Sequence, residues 1–258
     1  MVHLHGSEHR HPYFLTALVH SIPPNRTIPR VLDDIKDLSN HLEMGSVTGG
    51  GGFGVVIKGL LRLESEPTGV AVAVKSIKPP RATDDVIRRM DVRLRREMTV
   101  WKRLKHDNIV TLVGMVCDVN CKFIGMVSMW MEGGDLHHYL RNMPHLEDEQ
   151  RFALSRDVAK GLAYLHSQGV IHGDLTSCNI LISDTGTACI TDFGLSVIPA
   201  EFGGTSFITS TVGGAIRFRA PELLPTADTK LEVKFKTQLT LECDVYSLGS
   251  VLLEVRAP

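Results

Sequence analysis

Asp174 and Asn179 stand five residues apart in the stretch "IHGDLTSCNILI", and a second acidic residue, Asp192, comes later in "TDFG". A polar turn between strands needs Gly, Asp or Asn at one or two positions, and this stretch carries more polar chemistry than that. A carboxylate at Asp174 can accept the proton of an attacking hydroxyl. Asn179 and Asp192 offer the hard oxygen donors that Mg²⁺ prefers, and a metal held there neutralises charge on a transferring phosphoryl group. In this order the three residues supply a base and two metal ligands.

A phosphoryl group also needs a cradle and a counter-charge. "GGGGFGVV" contains Gly49-x-Gly51-x-x-Gly54-x-Val56. Alone that spacing is weak, because dinucleotide folds and plain Gly-rich hairpins use it too. The glycines lead into "VVIKGLL", a β-branched run unsuited to opening a helix, so they belong to a hairpin whose bare amides can lie over phosphates. In "VAVK", alternation puts Ala73 and Lys75 on one face beneath that turn. A lysine aimed inward needs an anion, and Glu97 in "RREMTVW" can hold its ammonium near the phosphates. "APE" at Ala220–Glu222 closes the segment that begins at Asp192.

These groups need elements to position them. Residues 1–40 open with "HLHGSEHRH" and continue into "SIPPNRTIPR", with its three prolines and little apolar periodicity, which predicts a mobile lead-in. His3, His5, His9 and His11 have no carboxylate or Cys framework around them and are assigned no metal. From Val47 onward, β-branched runs joined through Gly, Pro and acidic residues predict two or three antiparallel strands. "TDDVIRRMDVRLRREMTVWKRL" sets Val86, Met90, Leu94, Met98 and Trp101 at helical spacing, with Thr83 as N-cap. Its arginines 88, 89, 93, 95 and 96 read as a solvated face. "IVTLVGMVCDV" and "CKFIGMVSMWM" read as two more strands, and Gly133 and Gly134 end that run. The second half is helical at Leu154, Val158, Leu162 and Leu165, passes through short strands and loops, and ends in the apolar helix "DVYSLGSVLLEV".

The composition excludes some classes of function. With 258 residues, 43% hydrophobic, 22% charged and a net charge of −1, the chain is an ordinary globular one. It has no bulk electrostatic reason to bind nucleic acid or an anionic membrane. Five cysteines without a C-x-x-C pair argue against a disulfide framework and a zinc ribbon, and with no long apolar run they predict a cytoplasmic or nuclear protein.

Taken together, five motifs in order resemble the protein kinase family from about Val47 onward. "EMTVWKRLKHDNIVTLVG" and "CDVYSLGSVLLEV" resemble its tyrosine-kinase-like branch, and "DLSNHLEMGSVTGGGGFG" resembles Ser/Thr kinases expanded in mushroom-forming fungi. The resemblance implies an α+β, two-lobed fold: a small antiparallel sheet lobe with one helix over residues 41–131, and a mostly helical lobe over 132–258. It implies ATP and Mg²⁺ as cofactors and a protein as substrate. Val56 and Ala73 would cover the adenine, Leu181 would lie beneath it, and the backbone of Met129 and Met131 would meet its edge, with Ser128 as gatekeeper. Trp101, His172 and Phe193 would stack into a column fixed at its base by Asp244. Cys178 and Cys189 flank the site as small buried hydrophobes.

The sequence also departs from the family. Gly173 stands where the family writes the Arg of His-Arg-Asp, which removes the group that holds a phosphorylated activation loop. Thr205, Ser206, Thr209, Ser210 and Thr211 nonetheless make that loop phosphorylatable. Thr176 replaces a phosphate-contacting Lys, and Ala215 replaces the Thr that precedes "APE", so the acceptor is Ser or Thr by overall resemblance, with Tyr left open. Family members continue with further helices after "DVYSLGSVLLEV", one of them bearing an arginine that pairs with the Glu of "APE". Without it, Glu222 is expected to be a partly buried carboxylate lacking its cation, at a cost of roughly 3–5 kcal/mol, and the last helix to expose apolar surface. The alternatives to an active kinase are a pseudokinase or nucleotide-binding scaffold, and a truncated inactive fragment.

Overall fold

The computed structural model describes residues 35–51, 54–63, 66–76, 97–118, 123–193, 216–224 and 239–257. The first part is a five-stranded sheet of β1 (Leu42–Gly51), β2 (Gly54–Leu63), β3 (Glu66–Ser76), β4 (Leu112–Asp118) and β5 (Phe123–Met129). Their order is β1-β2-β3-β5-β4, with every neighbouring pair antiparallel. The β-branched alternation of "GVAVAV" explains the two faces of β3. Val72 and Val74 are fully buried with Ile57, Leu61 and Val127, while Ala73 and Lys75 face the other way. One helix, α1 (residues 97–101), packs on that second face, with Met98 and Trp101 buried. The helix closes in tight turns as Arg103 and Leu104 donate their N–H groups to Val100 and Trp101. Thr83, the arginine face and the first turns expected of this helix lie outside the described residues.

The second part is helical: α2 (Leu136–Asn142), α3 (Asp148–Ser167) and α4 (Leu241–Arg256), with a small antiparallel sheet of β6 (Gly134–Asp135), β7 (Ile180–Ile182) and β8 (Ala188–Ile190). α3 buries Leu154, Val158, Leu162 and Leu165, the stripe expected from the sequence. It starts in a capping box, Glu147 with Gln150, which satisfies amide groups that the first turn leaves without partners. Arg151, buried on the same helix, donates to the Leu146, Val255 and Ala257 carbonyls and so ties α3 to the end of α4. A continuous buried cluster runs from Met98, Trp101 and Met126 to Leu154, Val158 and Val251. The architecture is the α+β one expected, an antiparallel sheet with a helix joined to a helical region.

Three expectations change. The lead-in drawn to residue 40 is docked from residue 35: the Leu38 N–H donates to the Met115 carbonyl at 2.8 Å, the Met115 N–H donates to the Lys36 carbonyl at 2.9 Å, and Leu38 is fully buried. The stretch escaped sequence reading because one short extended segment with two apolar residues has no periodicity. Residues 1–34, with the four histidines, lie outside the described residues. Glu222 is exposed, and its Oε1 accepts a weak bond from the Cys243 thiol at 3.4 Å. Water can therefore solvate the carboxylate, and the burial penalty expected for it does not arise. Cys178 is exposed rather than buried, whereas Cys189 is buried as expected. The last helix does present apolar side chains: Val245, Tyr246 and Leu253 are exposed.

Candidate active site

The hairpin of β1 and β2 brings Gly51 opposite Gly54 and Gly49 opposite Val56, so the three motif glycines sit at one end of the sheet as a turn and do not open a helix. Register then carries the site across the sheet. Val56 lies opposite Lys75 on β3, Ala73 opposite Ser128 on β5, and Val72 opposite Met129. Paired residues share a face, so Val56, Ala73, Lys75 and Ser128 form one wall. Beyond β5 the chain leaves the sheet. The Trp130 N–H donates to the Ala71 carbonyl, the Gly134 N–H to the Met131 carbonyl, and the Gly133 N–H to the Ile182 carbonyl on β7. The Met131 N–H has no hydrogen bond among the described residues, which leaves a backbone donor for the edge of a planar ligand. On β7, Ile180 and Ile182 are fully buried while Leu181 alternates to the opposite, half-buried face.

Lys75 is the electrostatic centre. Its Nζ lies 2.8 Å from Glu97 Oε1 and 2.9 Å from Asp192 Oδ1. Burial pulls the ammonium's pKa down, but the charges of Glu97 and Asp192 outweigh it and hold the group above its ordinary value. The lysine therefore stays cationic at neutral pH. Asp192 holds φ 65°, a left-handed backbone that costs roughly 1–2 kcal/mol outside glycine. Strain of this kind persists where surroundings over-determine it. Here the Thr191 N–H is tied to the Asn179 carbonyl at 3.0 Å and the Asp192 carboxylate to Lys75.

The loop that carries Asp174 is fixed from below. Asp244 on α4 is buried and accepts the backbone N–H groups of His172 at 2.8 Å and Gly173 at 2.9 Å, with His166 Nε2 at 3.0 Å from the same carboxylate. Gly173 adopts φ 79°, a conformation glycine takes without the penalty an L side chain meets there. The Asp174 N–H donates to His172 Nδ1, and His172 Nε2 lies 2.9 Å from the Thr191 carbonyl, which makes Nε2 the protonated nitrogen of this pair of bonds. Asn179 Nδ2 donates to the Asp174 carbonyl at 2.8 Å, so its amide oxygen is left as the acceptor. Burial pushes the Asp174 carboxyl above its usual pKa; His172 and Arg219 oppose that shift and the charge of Asp192 adds to it. Phe193, fully buried, meets Trp101 at 5.7 Å and His172 at 5.8 Å between ring centroids. The column expected from the sequence is therefore continuous from α1 to α4.

The structure thus brings Lys75, Glu97 and Asp192 into direct contact and ties Asp174 and Asn179 together beside them. Val56 and Ala73 share the Lys75 face of the sheet, Met129 pairs with Val72, and Leu181 lies on the half-buried face of β7. Gly194, the loop residues 205–211 and Ala215 lie outside the described residues. Sequence reasoning missed Arg219, which acts on Asp174; the signal available was a second arginine in "RFRAPE". It also missed His137 Nδ1 and Arg217 Nη2, which hold the two oxygens of Glu254 at 2.6 and 2.8 Å. Glu254 fell in an apolar helix pattern that gave no hint of it. Among the described residues no three His, Cys, Asp or Glu side chains cluster as a metal site, and no helix is long and apolar enough to cross a membrane.

Comparison with known proteins agrees with this geometry. Residues 42–257 match the family described as protein tyrosine and serine/threonine kinase. A probable receptor-like protein kinase of Arabidopsis thaliana is 34% identical over 235 residues, covering 89% of this chain and 25% of that protein. Receptor-like protein kinase THESEUS 1 of Arabidopsis thaliana is 34% identical over 230 residues, 87% of this chain and 24% of its own length. A probable serine/threonine-protein kinase of Dictyostelium discoideum is 33% identical over 235 residues, 90% of this chain and 23% of its own. The chain thus spans about a quarter of the length of these relatives. With the match running over most of its length, the chain belongs to the protein tyrosine and serine/threonine kinase family.

Proposed function

We propose that the chain is an ATP-dependent protein kinase that transfers the γ-phosphoryl group of ATP to a Ser or Thr hydroxyl of a protein, with Tyr as the other acceptor open to it. The observation that carries this reading is the lysine shared between Glu97 and Asp192, with Asp174 and Asn179 joined beside it. Nucleotide and Mg²⁺ fit the donor set. Asn179 has its amide N–H committed and its oxygen outward-capable, Asp192 supplies a carboxylate, and a magnesium ion takes one or two such oxygens together with phosphates and water. When bound, the metal would neutralise charge on the phosphates.

In this reading Lys75 holds the nucleotide's phosphates and Glu97 holds Lys75. The hairpin glycines bring bare amides over the same phosphates. Val56, Ala73 and Leu181 enclose the base, whose edge meets the backbone of Met129 and Met131. Asp174, its carboxyl made more basic by burial, accepts the proton of the substrate hydroxyl. Catalysis then rests on positioning and fixed charges. The free thiols of Cys117, Cys178, Cys189 and Cys243 support a cytoplasmic or nuclear setting, and the sequence of the lead supports an affinity with fungal Ser/Thr kinases; both are parts of the proposal.

A second reading, nucleotide binding without turnover, is favoured by Gly173 and Thr176 in place of the family's Arg and Lys. The test is a thermal melt of the chain with and without MgATP, and then phosphate transfer to a generic protein acceptor. Ligand at about a hundred times its Kd stabilises a competent site by roughly 2.7 kcal/mol. The kinase reading expects a shift in the parent that is lost in Asp192→Asn, and transfer that is lost in Asp174→Asn. A shift without transfer supports the scaffold instead, and no shift overturns both.

A further inference from the structure

A small recess, open to solvent, lies directly beside the proposed base, bounded by Gly173, Asp174, Thr176, Phe218, Arg219 and Leu223. It exists in this form because two positions of the catalytic loop carry small side chains: Gly173 offers none, and Thr176 is short and buried. Asp244 also borders the recess, but its oxygens are taken by two backbone N–H groups and His166. Phe218 and Leu223 supply apolar wall. Arg219 is the recess's only cationic side chain among the described residues.

The arginines nearby differ in what they are doing. Arg151 is spent on backbone carbonyls, and Arg217 is paired with Glu254 while its guanidinium stacks 4.6 Å from the Phe218 ring. Arg219, half-buried, has its backbone N–H bonded to the Ile216 carbonyl, while its guanidinium has no hydrogen bond or ion pair among the described residues. A guanidinium at the wall of a recess, with no partner among the described residues, is a planar, bidentate receptor for a carboxylate or a phosphate. It is also close enough to Asp174 for their charges to interact. An anion bound by Arg219 would therefore sit within a residue or so of a hydroxyl presented to Asp174.

We infer that this recess selects the acceptor sequence: the chain prefers a hydroxyl residue flanked by an acidic or phosphorylated residue, which Arg219 recognises. The inference rests on the kinase reading for its acceptor, and it specifies the class of substrate. Its test uses the full chain and four synthetic peptides that differ only at the residues flanking one serine: Asp, phosphoserine, Ala or Lys. Initial transfer rates are measured for the parent, Arg219→Leu and Arg219→Glu, and peptide binding is tracked separately by fluorescence anisotropy with catalytically silenced Asp174→Asn.

The expected result is transfer to the anionic peptides roughly tenfold or more faster than to the Ala peptide, the scale of a charge-assisted bidentate contact. Asp against phosphoserine then tells which anion is the better fit. Arg219→Leu should level the series, and Arg219→Glu should invert it in favour of Lys. A merely structural arginine cannot produce that inversion. Equal use of all four peptides by the parent, or a preference unchanged by Arg219→Glu, overturns the inference and leaves the kinase reading standing. Transfer to none of them counts against the kinase reading instead, and anisotropy then decides the inference: tighter binding of the anionic peptides sustains it, and equal binding overturns it.

Discussion

Asp174 carries the clearest titration in the site. A carboxyl whose pKa is raised holds its proton at a pH where a free aspartate, with an ordinary value of 3.8, has already lost it. As the proposed base, Asp174 works only when deprotonated, so the proposed transfer is expected to fall as pH falls through the raised value. The acid limb of kcat/KM, measured on the parent, is therefore expected above 3.8. For stability the sign is reversed: between the ordinary and raised values the native state binds more protons than the unfolded chain, so this group's contribution falls as pH rises through that window. Lys75 behaves differently. Its raised pKa leaves it charged at every pH where the protein works, and its contribution is lost only as pH climbs through a value above 10.5. The thiols give a second residue-scale prediction. Burial pushes Cys189 up to about 11 and its Sγ donates to the Asp107 carbonyl, whereas Cys178 is exposed. Alkylation of the native protein near neutral pH, mapped by mass spectrometry, should mark Cys178 before Cys189, which is reached only on unfolding.

At the scale of elements, the docked segment of residues 35–40 is the part that changes the picture of the sheet. It covers β4, the edge strand, through Leu38, Met115 and the Ser39 hydroxyl, which accepts the Cys117 N–H at 2.8 Å. Covering an edge in this way protects unpaired backbone groups. Gly114 on β4 is what permits the close approach, since a Cβ there would lie 2.5 Å from the Lys36 carbonyl oxygen and 2.7 Å from Leu38 Cδ1. Gly114→Ala should therefore displace the segment and lower the unfolding free energy by about 1–3 kcal/mol, with faster proteolysis near residues 35–40 as the second readout. Leu38→Ala is expected to cost roughly 2–5 kcal/mol and to produce the same cleavage. The sequence makes the strands and the α3 stripe legible because their periods are long and regular. It hides this segment, the two-residue β6, and the 3₁₀ turn Ser177–Asn179, because their form is set by partners far away in the chain. The same holds within the site. Lys75, Glu97, Asp174, Asn179 and Asp192 were readable from type and order, but the left-handed backbone at Asp192 and the pairing of Glu254 with His137 and Arg217 depend on tertiary contacts that spacing does not encode.

Across the whole molecule, one of the lines of contact that join the sheet to the helical region runs through the site. Trp101 of α1 donates its indole N–H to the Val110 carbonyl and meets Phe193. Phe193 meets His172, and the His172 N–H is held by Asp244 of α4. Phe193 comes directly after Asp192, so the line passes within one residue of the carboxylate that Lys75 contacts. Removing the ring should act in two ways. Phe193→Ala leaves a cavity in a fully buried position and is expected to cost about 3–5 kcal/mol. It also frees Asp192 from one of the restraints that keep it in a left-handed conformation, so the Lys75–Asp192 pair loosens even in molecules that remain folded. Phe193→Leu refills part of the volume and separates the two effects. It should recover much of the melting temperature, whereas stabilisation by MgATP should recover only if packing alone, rather than the aromatic contacts with Trp101 and His172, holds Asp192 in place. A Phe193→Ala protein that melts like the parent and is stabilised by MgATP as fully would show that the line does not join the two regions.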